Sequence, residues 1–167
     1  MKSALWPNLF KGWGKTESET VLTLKNVPVF KGFTDKEFGE LEQLIHRRTY
    51  KPDEYVFKNQ APGEGMYIIV FGGVKISIGL RYSQEQVLAE LKAGDFFGEL
   101  ALLGDEPRSA SAIATDNSKL LGFFKPDLFS LLERNPVLGN KILMNLAQVI
   151  GERLRKTNQL LMEAQTD

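Results

Sequence analysis

Between Arg48 and Phe124 the chain breaks into short β-rich runs divided by turn signals, and this rhythm constrains the fold more than any other feature. The runs "EYVFK", "MYIIVF", "VKISIGL", "EQVLAEL", "SAIAT" and "KLLGFF" alternate with "APGEG", "GG", "KAGD" and "DNS". So many short strands must protect their edges, which a barrel or a double layer achieves. Gly72–Gly73, between two strongly β segments, predicts a tight hairpin. With 167 residues, 43% of them apolar, the chain can build one domain with a substantial core and flanking helices.

Helical periodicity brackets the β-rich region. In "VPVFKGFTDKEFGELEQLI", Thr34 is a good N-cap and Glu37 completes a capping box. Phe38, Leu41, Leu44 and Ile45 then form one apolar face. His46, beside Arg47 and Arg48 at the end of this helix, reads as a solvated or capping residue. After Lys125, "PDLFSLLERN" predicts a short helix that stops at Asn135–Pro136. Pro136 opens a second helix running to about Ala164. The domain is expected to span 21–167, preceded by a tail over 1–20 that carries Trp6 and Trp13. An alternative for that tail is an interfacial anchor, with Trp6, Phe10 and Trp13 beside Lys11 and Lys15.

The long C-terminal helix carries two stripes. Leu143, Ala147, Ile150, Leu154, Thr157, Leu161 and Ala164 alternate at spacings of four and three, as in an a/d seam. Ile142, Leu146 and Val149 lie on a neighbouring face and can pack on the β region. Two faces imply two neighbours, the helix's own domain and a second copy, although one broad stripe on a single core fits the spacing too. Thr157 is the polar member of the seam.

The stretch "GELALLGDEPRSASA", Gly98 to Ala112, interrupts the β pattern with a different chemistry. "ELALL" predicts one or two helical turns directly after Gly98. The amides of Leu100 and Ala101 would then be offered to an anion. Arg108, stiffened by Pro107, presents a permanently charged planar fork suited to a phosphate. Glu99 could accept from a sugar hydroxyl, Ser109 adds a hydroxyl, and the small residues Ala101, Ser109 and Ala110 permit close approach. On spacing alone, an ordinary Glu99–Arg108 surface ion pair accounts for the same residues equally well.

"GDFFGELALLGDEPRSASAIA" resembles the phosphate-binding cassette of the cyclic-nucleotide-binding domain family, whose pattern is met from Phe97 through Ala110 without a gap. The resemblance extends over about 22–164, taking in "VPVFKGFTDKEFGEL", "PGEGMYIIVFGGVKISI" (similar to the family's first long hairpin) and "ERNPVLGNKILMNLAQVIGERLRKTNQLL". It implies a mainly β fold with flanking helices: a β-roll, a jelly-roll-like barrel, with an N-terminal helix and C-terminal B and C helices. It implies that Glu99 binds the ribose 2′-hydroxyl and Arg108 the exocyclic oxygens of a cyclic phosphate. The amides of Gly98, Leu100 and Ala101 would support these contacts, with Ser109 and Ala110 beside them. In catabolite-activator-like dimers a Thr-Ser pair on the C helix reads the adenine; here the matching pair is Thr157-Asn158, and Asn for Ser is a departure.

The expected function is therefore a cyclic-nucleotide sensor, cAMP before cGMP, that signals through its C-terminal helix as a homodimer. The alternative is a member of the same fold that no longer binds nucleotide and serves as a dimeric interaction module. Without a helix-turn-helix after the long helix, the chain is expected to act as a stand-alone domain with no nucleic-acid partner. "ERLRK", Glu152 to Lys156, reads as a solvated helix face rather than a DNA contact.

Composition narrows the classes further. Lys+Arg 21 against Asp+Glu 21 gives no long-range pull toward nucleic acid or anionic membrane. The single histidine argues against a metal-dependent enzyme on a similar barrel, so no cofactor and no metal are expected. Absence of cysteine fits a reducing cytoplasm, and the longest apolar run, Met66 to Phe71, is too short to span a bilayer.

Overall fold

The computed structural model describes residues 17–79 and 85–165. Two four-stranded antiparallel sheets face each other as a roll, with helices before and after them. Helix α1 (Glu19–Lys25) starts at Ser18, whose hydroxyl accepts from the Val21 amide. The helical region thus begins slightly before the expected boundary at residue 21. A 3-10 turn (Pro28–Phe30) and α2 (Asp35–Glu42) follow, and the Thr34–Glu37 capping box forms as its spacing requires. Residues 1–16 of the expected 1–20 tail, including Trp6, Phe10 and Trp13, lie outside the described residues.

The first sheet has the order β1 (His46–Tyr50), β8 (Ser118–Phe124), β3 (Gly65–Phe71), β6 (Phe96–Phe97). The second has the order β2 (Tyr55–Phe57), β7 (Ser111–Ala114), β4 (Gly73–Ile78), β5 (Gln86–Lys92). Side chains alternate across the first sheet. Tyr67, Ile69 and Leu120 point into the roll, against Val74 and Ala112 of the other sheet. Met66, Ile68, Leu121 and Phe123 point outward beneath the helices, where Phe30, Leu41, Leu128, Leu138, Ile142 and Leu146 cover them. "MYIIVF" is a nearly continuous apolar run because both of its faces are covered.

Three expectations are corrected here. Gly72–Gly73 does not make a tight hairpin, because β3 pairs with β6 and β8 while β4 pairs with β5 and β7. The pair is a corner at which the chain crosses between sheets, and the same holds for the first long hairpin of the resemblance. Gly72 adopts φ +87°, and a Cβ there would lie 2.3 Å from Ser118 Oγ. His46 does not end a helix; α2 stops at Glu42 and His46 opens β1, a strand whose basic sequence gave no β signal. Its Nε2 meets Asp127 Oδ2 at 2.9 Å. The turn after Gly98 is one short 3-10 helix (Glu99–Leu102), tighter than an α-helix.

Helix α3 (Lys125–Arg134) leads through Asn135 into α4 (Pro136–Ala164), as the prolines predict. Ile142, Leu146 and Val149 of α4 are buried on the domain, as the second stripe anticipates, and Leu138 joins them. From Glu152 onward the described part of α4 is exposed.

Candidate functional site

Gly98 decides the geometry of the site. At φ +77° it holds a left-handed turn that ends β6 and releases the chain into the 3-10 helix. A Cβ on it would stand 2.7 Å from Arg108 Nη1, so only a glycine lets the guanidinium approach this closely. Arg108 Nη1 donates to the Gly98 carbonyl at 3.2 Å, and Nη2 donates to the Gly65 carbonyl at 2.6 Å. Its Cζ lies 3.9 Å from the centre of the Phe57 ring. The side chain is thereby locked against both the cassette and β3, with 7% of its surface exposed. Arg108 Nε is buried and finds no acceptor among the described residues. A charged donor left in that state is costly, and an anionic oxygen is its natural complement.

Burial pushes the Arg108 guanidinium below its ordinary pKa, while Tyr67, Glu64 and Glu99 oppose that shift. It stays cationic at neutral pH regardless. Glu99 is 5% exposed and points to the same cavity. Its partner is Arg153 of α4: Arg153 Nη1 donates to Glu99 Oε1 at 2.5 Å and Nη2 to the Phe96 carbonyl at 3.1 Å. The Arg153 guanidinium also stacks over Phe96, 4.5 Å from the ring centre. The simple Glu99–Arg108 surface ion pair is therefore not what forms. Each buried charge has its own partners, and the two flank a shared space.

That space is a cavity of about 530 Å³. Gly98, Glu99, Leu100, Ala101, Arg108, Ser109 and Ala110 all line it, so the structure gathers these predicted residues on one wall. Ile76, Ala89 and Leu91 give it an apolar wall. The Leu100 amide lies at the start of the helical turn, where backbone donors lack intrahelical acceptors. The Ala101 amide, expected to face an anion, instead donates to the Gly98 carbonyl at 3.2 Å. A 3-10 turn closes one residue sooner than an α-turn and so uses that donor internally.

Thr157 and Asn158 do not line the cavity. Both are exposed on α4, and Thr157 Oγ1 donates to the Arg153 carbonyl at 3.0 Å. The "ERLRK" face is exposed as expected, but Arg153, half in water, also reaches Glu99 and the Phe96 carbonyl. Its position four residues before Thr157, on the same helical face, is the sequence cue that could have pointed to it. The Gly65 carbonyl and the Phe57 ring carried no sequence signal, because a contact across the roll has no local signature. Among the described residues no group of three or more His, Asp or Glu side chains is placed to hold a metal ion, and no helix is long and apolar enough to cross a membrane.

Comparison with known proteins places this arrangement in context. The cyclic nucleotide-binding domain profile matches residues 47–135. The cyclic AMP receptor protein of Thermus thermophilus is 32% identical over 135 residues, covering 81% of this chain and 61% of the relative. A cAMP-dependent protein kinase regulatory subunit of Hypocrea atroviridis is 36% identical over 97 residues, covering 58% of this chain and 20% of the relative. A solved cyclic nucleotide-binding domain from Methylobacillus flagellatus superposes with a TM-score of 0.76 at 25% identity, covering 87% of this chain and 82% of that one. The chain thus spans less than two thirds of the length of these two curated relatives.

Proposed function

Because the chain belongs to the cyclic nucleotide-binding domain family, we propose that its cavity takes a cyclic purine mononucleotide, cAMP in preference to cGMP, and that occupancy is signalled through α4. The domain is a binding module, not an enzyme. The observation that carries the ligand reading is that two buried opposite charges, Arg108 and Glu99, line one cavity while each is held by other partners. Arg108, with an unpaired Nε beside fixed Nη groups, suits a phosphodiester anion. Glu99 is an acceptor for a ribose hydroxyl, and the apolar wall of Ile76, Ala89 and Leu91 suits a flat base. The Thermus thermophilus relative, a cyclic AMP receptor protein, supports the choice of cAMP.

Arg153 supports the signalling half of the proposal. It joins α4 directly to Glu99, so a sugar hydroxyl arriving at that carboxylate must share or displace the guanidinium. The ligand biases α4 by as much as its affinity differs between the two arrangements. Beyond Ile150 the a/d seam is uncovered, with Leu154 59% and Leu161 56% exposed. A homodimer through this seam would bury it and would bring Thr157 and Asn158 toward the partner's cavity, where they could contact the base. The protein is proposed to act as such a dimer on a downstream protein.

Calorimetric titration with cAMP and cGMP, paired with thermal melting, tests the ligand reading. Binding to the folded state must raise the melting temperature. If neither nucleotide gives heat or shifts the melt, the domain is the non-binding interaction module instead.

A further inference from the structure

We propose that Lys125, the first residue of α3, is a positioning residue that couples the nucleotide cassette to α3 and the docked half of α4. The inference rests on the reading of the cavity given above. Lys125 Nζ donates to the Gly104 carbonyl at 2.8 Å and pairs with the Asp105 carboxylate. Gly104 and Asp105 lie midway between the two halves of the cradle, Gly98–Ala101 and Arg108–Ala110. The Lys125 backbone amide donates to the Glu64 carbonyl at 2.8 Å, one residue before the Gly65 carbonyl that receives Arg108. The start of α3 is therefore held to both supports of the phosphate-facing guanidinium: the strand that anchors it and the loop that carries it.

Onward transmission is built into the helix junction. Asn135 caps α4 through its side chain, accepting from the Leu138 amide, while its own amide donates to the Leu131 carbonyl of α3. Gly139 of α4 packs so tightly on Leu132 that a Cβ would stand 2.6 Å from Leu132 Cδ2. Helix α3 and the first turns of α4 thus move together. Gly104 lines the cavity, but Lys125 and Asp105 do not. Loss of the tie should leave the ligand contacts in place and remove their consequence for the helices. Among the described residues, the second ionic link from the cassette to the helices, Glu99–Arg153, meets α4 beyond its docked half. The two links are therefore separable by where their effects appear.

Hydrogen–deuterium exchange on the full chain, with and without saturating cAMP, separates them. In the unaltered protein cAMP is expected to slow exchange across 98–110, in α3, and in both halves of α4. In Lys125→Met the 98–110 and 150–164 responses persist, with a dissociation constant within about fivefold of the unaltered protein, the lower end of usual coupling strengths. The response over 125–149 falls by about half or more. Lys125→Arg, which keeps the cation, restores it, and Asp105→Asn, a conservative change at an exposed side chain, reproduces part of the loss. If both Lys125→Met and Asp105→Asn respond over 125–149 as the unaltered protein does, the coupling role is overturned and the ligand reading stands. If the unaltered protein shows no response anywhere, the ligand reading fails and the coupling role falls with it.

Discussion

Arg153 Nη1 lies 2.5 Å from Glu99 Oε1, so a residue on the last long helix neutralises a carboxylate buried in the wall of the cavity. Glu99 is almost fully enclosed, whereas about half of the Arg153 side chain remains in water. The pair is thus lopsided: Arg153 already stands half in solvent, whereas Glu99 lies buried in the cavity wall. A group that replaces the guanidinium must still donate a hydrogen bond to the carboxylate, with the ligand's other contacts offsetting the lost charge.

Removing one partner should therefore cost more than removing both. Arg153→Met leaves Glu99 buried without its cation and is expected to lower stability by about 1–3 kcal/mol. Adding Glu99→Gln to that background should recover much of the loss. Urea denaturation of both single variants and the double closes the cycle. Strict additivity would mean that the contact carries no coupling energy.

Arg108→Ala deletes a cation held by two carbonyls and a ring. The expected loss of cAMP binding is about 2–5 kcal/mol, measured by calorimetry. Arg108→Lys is expected to lose most of the same affinity, because an ammonium cannot reproduce a planar fork that reaches two fixed carbonyls and an anion together.

Glu99→Ala should weaken cAMP binding less than Arg108→Ala does. It should also erase most of the preference for cAMP over its 2′-deoxy analogue, since the carboxylate is read as the acceptor of that hydroxyl. Parallel titrations of the two nucleotides against both proteins supply the ratio.

Gly98→Ala combines a left-handed backbone with a Cβ 2.7 Å from Arg108 Nη1. A loss of about 1–3 kcal/mol in stability is expected. Because the guanidinium must shift, affinity for cAMP should fall together with the melting temperature. Neighbouring Leu100→Ala, at an exposed side chain, should leave stability nearly unchanged.

The link between α2 and α4 has a pH dependence of known sign. Hydrogen bonding from Lys141, followed by the Thr34 amide, holds the Glu37 carboxyl below its ordinary value near 4.5. A carboxylate whose folded pKa is depressed contributes stability that is fully present above the unfolded value and is lost as pH falls through the folded one. Unfolding free energy should therefore drop on acidification below about 4.5, and Glu37→Gln should flatten that part of the profile. Denaturant midpoints at neutral pH and in the acid range decide this.

Local chemistry wrote much of the fold into the sequence. The Thr34–Glu37 capping box, the stop at Asn135, the start at Pro136 and most strands are settled within a few residues of chain, so their signals survive without any tertiary context. That the residues from Gly98 to Ala110 stand close together was legible for the same reason, since one short segment holds the glycine, the carboxylate and the guanidinium; a ligand-binding role for them was implied only by the resemblance. What the sequence left undecided concerns partners far apart in the chain. Whether Glu99 pairs with Arg108 or with Arg153, whether Gly72–Gly73 turns a hairpin or a corner, and where His46 sits all depend on which elements meet in space. The contacts that form join residues far apart in the chain; only the folded roll, by closing one sheet over the other and packing α4 on its outer face, selects among the alternatives.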